Sequence, residues 1–81
     1  VKGKIKIKIR DLSKEKCVGL AWMEDNLIEI DPKQTEREFL LTAIHEVFHL
    51  LFPKFGEKKI ISLEKRMGDV LWRLGYRRKK N

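Results

Sequence analysis

Nine of the thirteen residues from Phe39 to Leu51 are apolar, and no other feature of the chain constrains its fold as much. At about 100° per residue, Phe39, Leu40, Leu41, Ala43, Ile44, Val47, Phe48, Leu50 and Leu51 cover more than half of a helix circumference. A helix so broadly apolar is buried over most of its surface. The remainder is a narrow stripe of Glu38, Thr42, His45, Glu46 and His49. That stripe must meet water, a metal ion or polar partners, because a buried charge without a partner is costly.

The flanking sequence fixes where this helix starts and stops. Thr35 sits three residues before Glu38, the spacing of a capping box. Pro53 disfavours helical backbone at Phe52, so the helix runs to about Leu51. Upstream, Lys4 to Arg10 alternates strictly: Ile5, Ile7 and Ile9 on one side, Lys4, Lys6, Lys8 and Arg10 on the other. That pattern predicts a half-buried strand whose lysines discourage edge-to-edge aggregation. The segments Cys17–Met23 and Asn26–Asp31 flank a short polar turn and read as a β-hairpin that Pro32 ends. A second helix is predicted from about Glu57 to Leu74, with a core stripe of Ile60, Leu63, Met67, Val70, Leu71 and Leu74. Gly75 suits its C-terminal cap, and residues 77–81 form a frayed basic tail. The order β-β-β-α-α describes one α+β domain over residues 1–81: a small three-stranded sheet, mixed or antiparallel, followed by a helical hairpin.

With 81 residues, such a domain buries only about 60–65% of its unfolded surface. It needs a well-packed core, a metal or a partner, and so small a core could form a homodimer. One cysteine, Cys17, excludes an internal disulfide framework and suggests a reducing, cytoplasmic compartment. Cys17 itself reads as a small buried hydrophobe rather than a thiol that blocks a metal. No apolar run approaches the roughly 18–20 residues of a membrane helix, and no signal-peptide pattern is present. The chain opens on Val1 rather than Met, which leaves room for residues upstream. Nineteen basic against twelve acidic side chains give a net charge of +7. Nucleic acid is nevertheless not expected, because no aromatic residues interleave with the basic ones as stacking platforms. Trp22 and Trp72, beside periodic apolar residues, read as core or its rim.

The chemistry concentrates in the polar stripe. His45 and His49 lie one helical turn apart, so two imidazole nitrogens can reach one ion. Zinc is the ion best matched to such a pair. Glu46, rotated by about 100°, points beside the ion, where a general base takes a proton from zinc-bound water. This is the H-E-x-x-H pattern of zinc metallopeptidases, and it uses both histidines of the chain. A catalytic zinc takes three protein ligands and keeps a fourth position open. Cys17 precedes the hairpin turn and Asp69 lies far along the second helix. Glu57 and Glu64, seven residues apart, share one flank of that helix. A symmetric hairpin folded about Lys54 sets Glu64 level with His45. Glu57 lies nearer the turn, within reach of His49 if the helices splay. Spacing alone leaves both open and leans to Glu64.

The hairpin GLAWMEDNLIEIDP, the helix TAIHEVFHLLFP, the turn into GEKKI and the closing VLWRLGYR together resemble a small gluzincin. More narrowly, they resemble the short phage and prokaryotic relatives of the ImmA/IrrE metallopeptidases. The resemblance spans Gly19 to Arg77, about three quarters of the chain. It implies a minimal zincin-like fold with one zinc per chain, held by His45 and His49, with Glu46 as base. It places the downstream glutamate at Glu57, which is the expected third ligand, with Glu64 as the alternative. It also implies that a strand before the active helix binds an extended peptide by edge pairing. Leu27, Ile28, Glu29 and Ile30 are the expected strand. The implied function is a zinc metalloendopeptidase acting on a protein substrate, such as a regulator. The chain is shorter than a typical peptidase and offers only Tyr76 as a tyrosine for an oxyanion. A shallow cleft and weak or latent activity follow. The alternative is a non-catalytic zinc domain that acts through protein–protein contacts.

Overall fold

The structure, a computed structural model, describes residues 3–79. Strand β1 spans Lys6–Ile9, β2 Gly19–Trp22 and β3 Leu27–Ile30; helix α1 spans Glu36–Leu51 and α2 Glu57–Arg73. A single 3-10 turn, Ser13–Glu15, lies between β1 and β2. The α+β architecture is the one the hydrophobic periods predict: three strands in one sheet, then a helical hairpin. Among the described residues no helix is long and apolar enough to cross a membrane.

The sheet is mixed. Its order is β1-β3-β2, with β2 antiparallel and β1 parallel to β3. The β2–β3 turn closes where Asn26, at a φ of 49°, donates its N–H to the Met23 carbonyl. Asparagine tolerates that left-handed backbone better than most residues. The strand order corrects two expectations. Leu27, Ile28, Glu29 and Ile30 are not an edge strand, because β1 and β2 occupy both sides of their backbone. Ile28, Glu29 and Ile30 are buried, so none of them is placed to meet a peptide. Strand β1 is not half-buried either. Ile7 and Ile9 pair with Ile28 and Ile30 on the core-facing side, yet remain 66% and 54% exposed. Helix α1 packs on β2 and β3, and neither helix packs on β1. A helix about 10 Å across covers two strands spaced about 4.8 Å apart, and leaves the third bare.

Helix α1 begins at a complete capping box. Thr35 Oγ1 accepts from the Glu38 N–H, and Glu38 Oε1 accepts from the Thr35 N–H, each at 3.1 Å. Its sheet-facing side joins Phe39 to Ile28 and Ile30, with Ile5, Ala43, Val47 and Leu50 packed around them. Helix α2 contacts α1 and no strand. Its buried stripe is rotated from the predicted one. Ile60 and Gly68 are the buried residues of α2, whereas Met67, Val70 and Leu74 stay exposed. Gly68 sits against the side chains of Leu41 and Ile44, so the missing side chain sets how closely the helices approach. Apolar periodicity alone does not reveal a helix that turns a glycine and a glutamate inward.

Helix α2 ends in a Schellman motif: Gly75, at a φ of 92°, donates to the Trp72 carbonyl, and Tyr76 donates to Leu71. The following segment is docked rather than frayed. The Arg77 guanidinium stacks 3.2 Å from the Trp72 ring centroid. Arg78 forms a forked pair with Glu36 and donates to the Pro32 carbonyl. Lys80 and Asn81, the end of the expected tail, lie outside the described residues, as do Val1 and Lys2.

Ile28 is almost fully buried in the core that joins sheet and helix. Ile28→Ala is expected to lower stability by about 2–5 kcal/mol, read from the midpoint of urea unfolding at unchanged slope.

Candidate metal centre

Residues from both helices meet at one point. His45 and His49 project from one side of α1, and their Nε2 atoms lie 3.0 Å apart. Glu57, in the first turn of α2, brings one carboxylate oxygen to 3.3 Å from His45 Nε2 and the other to 3.0 Å from His49 Nε2. Ligand atoms around a tetrahedral zinc, bound at about 2.0–2.2 Å, stand about 3.3–3.5 Å apart. The three groups converge to slightly less than that spacing, and two imidazoles with one carboxylate are a donor set that suits zinc. Among the described residues no other three His, Cys, Asp or Glu side chains converge in this way.

Glu64 occupies a different place. Its carboxylate accepts from Nδ1 of His45, the nitrogen turned away from the converging triad. That bond fixes the tautomer, leaving the Nε2 lone pair free toward His49 and Glu57. The two candidate glutamates thus separate: Glu57 lies with the histidine Nε2 atoms, and Glu64 buttresses His45 from behind. Burial lowers the His45 pKa, but the Glu64 hydrogen bond and the charges of Glu64, Glu57 and Glu46 outweigh it, so the net shift is upward.

Glu46 is buried beside this cluster, on the flank of α1 that faces β2. Among the described residues its carboxylate has no hydrogen-bond partner. Burial pushes its pKa up; His45 and His49 pull it down, and Glu57 and Glu64 add to the rise. Gly19 makes room for it. A Cβ at that position would stand 2.8 Å from Glu46 Oε2 and 2.6 Å from Thr42 Cγ2. The glycine lets the β2 backbone lie against the carboxylate.

Two adjoining hollows, of about 430 and 440 Å³, share Gly19, His45, Glu46 and Glu57. The first continues along Cys17, Val18, Thr42 and Glu64, the second along Leu20, Ala21, Met23, His49 and Pro53. Together they form an open cleft beside the free edge of β2. Cys17 is half-buried on its wall and is not among the converging donors. The expected peptide strand is displaced from this cleft: Glu29 points to the other face of the sheet, where Arg10 and Trp22 hydrogen-bond it. The Arg10 guanidinium holds its carboxyl below the usual range despite burial. Trp22, tied to Glu29, does not line the cleft, and Trp72 stacks with Arg77. The cleft residues missed from sequence include Gly19, Leu20 and Ala21. The readable signal was Gly19, since a lone glycine within a strand pattern marks a close backbone approach.

Comparisons with protein-family models, with curated proteins and with solved structures found no match for this chain.

The shifts of His45 and Glu46 have one sign in the metal-free protein. Each binds its proton more tightly folded than unfolded, so each contribution to stability is lost as pH rises. For Glu46 that loss begins above its ordinary 4.5, and for His45 above 6.5. Metal-free protein is expected to be less stable at about pH 8 than at about pH 5.5, with the slope flattened in Glu64→Gln. Zinc reverses the trend, because the histidines must be neutral to bind it. Thermal unfolding across pH, with and without zinc, checks both signs.

Proposed function

We propose that this chain is a zinc-dependent metallopeptidase of the gluzincin type. His45, His49 and Glu57 hold one zinc ion, and Glu46 is the general base that serves peptide-bond hydrolysis. The observation that carries this reading is the convergence of three donor groups beside the Glu46 carboxylate, which lines an open cleft.

Zinc at the triad supplies Lewis acidity and lowers the pKa of water toward about 7. Glu46 accepts a proton at its carboxylate and returns it to the leaving amine. A carboxyl whose pKa is raised by burial holds that proton better between the two transfers. Glu64 is a positioning residue, keeping the Nδ1 proton of His45 in place so that Nε2 stays a ligand. The substrate strand is β2 rather than β3. The Val18 carbonyl accepts from the Asp31 N–H, so alternation turns the Gly19 and Ala21 backbone groups toward the free edge. An extended segment of a protein substrate pairs there and crosses the triad. The lone free thiol of Cys17 accords with a reducing, cytoplasmic setting.

A second reading has its own support. The histidines stand on α1 and the glutamates on α2, so a metal would cross-link the helical hairpin of a small domain. Under that reading zinc is structural and the domain acts by binding a partner.

One set of variants separates the two. Zinc per chain, measured after dialysis, is expected to be one in the wild type and lost in Glu57→Gln. Glu64→Gln is expected to weaken zinc by about 10–100-fold. Glu46→Gln should keep the zinc and reduce cleavage of a peptide library by about 10²–10⁴-fold. Wild-type protein that takes up zinc, gains stability and cleaves no peptide would overturn the peptidase reading in favour of the structural one.

A further inference from the structure

Strand β1 is the other edge of the sheet, two strands away from the cleft, and it is exposed along its whole length. The Lys6 N–H donates to the Asn26 carbonyl and the Arg10 N–H to the Ile30 carbonyl. Backbone groups alternate along a strand, so those of Ile7 and Ile9 point to the open side. The two faces of this edge differ in chemistry. On the core-facing side Ile7 and Ile9 extend the apolar surface of Ile28 and Ile30 past the reach of α1. On the opposite side stand Lys6 and Lys8, with Lys4 just before them. None of these lysines forms a salt bridge among the described residues, although the charge of Lys8 acts on Glu29 opposite it; Arg10 is bound directly to Glu29 and Glu15.

We propose that β1 is a docking edge for an extended segment of a partner protein in which apolar and acidic side chains alternate. Such a strand pairs its backbone with Ile7 and Ile9 and lays its apolar residues beside their side chains. Its carboxylates lie beside Lys6 and Lys8. Edge lysines ordinarily prevent pairing between like strands, and here that exclusion depends on sign. A second copy is disfavoured, because antiparallel β1–β1 pairing sets lysine against lysine on chains that each carry a net charge of +7. An acidic strand turns the same charges into attraction and register. The cleft beside β2 stays open while this edge is filled, so docking here is independent of the zinc chemistry.

The test uses the full chain and a synthetic peptide alternating glutamate and valine, with the lysine–valine and scrambled peptides as controls. Binding is followed by fluorescence anisotropy and mapped by amide chemical-shift changes. The acidic peptide is expected to bind at least about tenfold more tightly than either control, with changes centred on Ile7 and Ile9 and weakening as salt rises. Ile7→Pro removes an outward N–H without touching the β1–β3 ladder, so it should keep the fold and abolish binding. Lys6→Glu with Lys8→Glu should reverse the preference toward the lysine–valine peptide. Equal binding of all three peptides, shifts centred on Gly19–Trp22 instead, or concentration-dependent dimerisation blocked by Ile7→Pro would each overturn the proposal.

Discussion

Burying the polar stripe of α1 without stranding its charges is the constraint to which the other elements answer. The helix is needed in the core, yet it carries His45, Glu46 and His49. Two glycines resolve the conflict, one on each neighbour. Gly19 brings the β2 backbone against Thr42 and Glu46, and Gly68 brings α2 against Leu41 and Ile44. At both places a side chain would hold the layers apart. With the layers close, Glu57 and Glu64 reach the imidazoles across the helix interface, His45 and His49 acquire partners, and Glu46 is left facing the cleft.

The resulting charge distribution runs against that of the whole chain. The protein carries a net +7, yet Glu46, Glu57 and Glu64 gather around two imidazoles. Three carboxyl groups around two imidazoles make a site that a divalent cation suits better than a monovalent one. Both upward shifts favour the protonated form, at Glu46 chiefly through burial and at His45 through the Glu64 hydrogen bond and the neighbouring carboxylates, which together outweigh burial. A site that binds protons tightly in the absence of metal is one in which metal and protons compete for the same positions.

The elements legible in the sequence were those set by neighbours in the chain. Thr35 and Glu38, the two residues of one capping box, and Pro53, after the last turn, bracket α1 as read. The close pair His45 and His49 follows from helical pitch alone. What the sequence concealed was non-local. That β1 adds to the far side of β3 depends on pairing between residues about twenty positions apart, and the alternation of Ile7 and Ile9 looks the same whether a helix covers them or not. Glu29 sits in a polar position of its strand pattern, and only Arg10 and Trp22, from two other segments, bury it. The choice between Glu57 and Glu64 turned on the helix-crossing geometry, which periodicity does not encode. Both glutamates proved to touch the histidines, at opposite nitrogens of His45.

The pair between Arg78 and Glu36 lies at the far end of the hairpin from Glu57. Arg78 follows the last turn of α2, and Glu36 opens the first turn of α1. The two helices are thus latched at both extremities, by an ion pair at one end and by the histidine–glutamate contacts at the other. Any displacement of α2 along α1 would move Glu57 and Glu64 together, because one helix carries both.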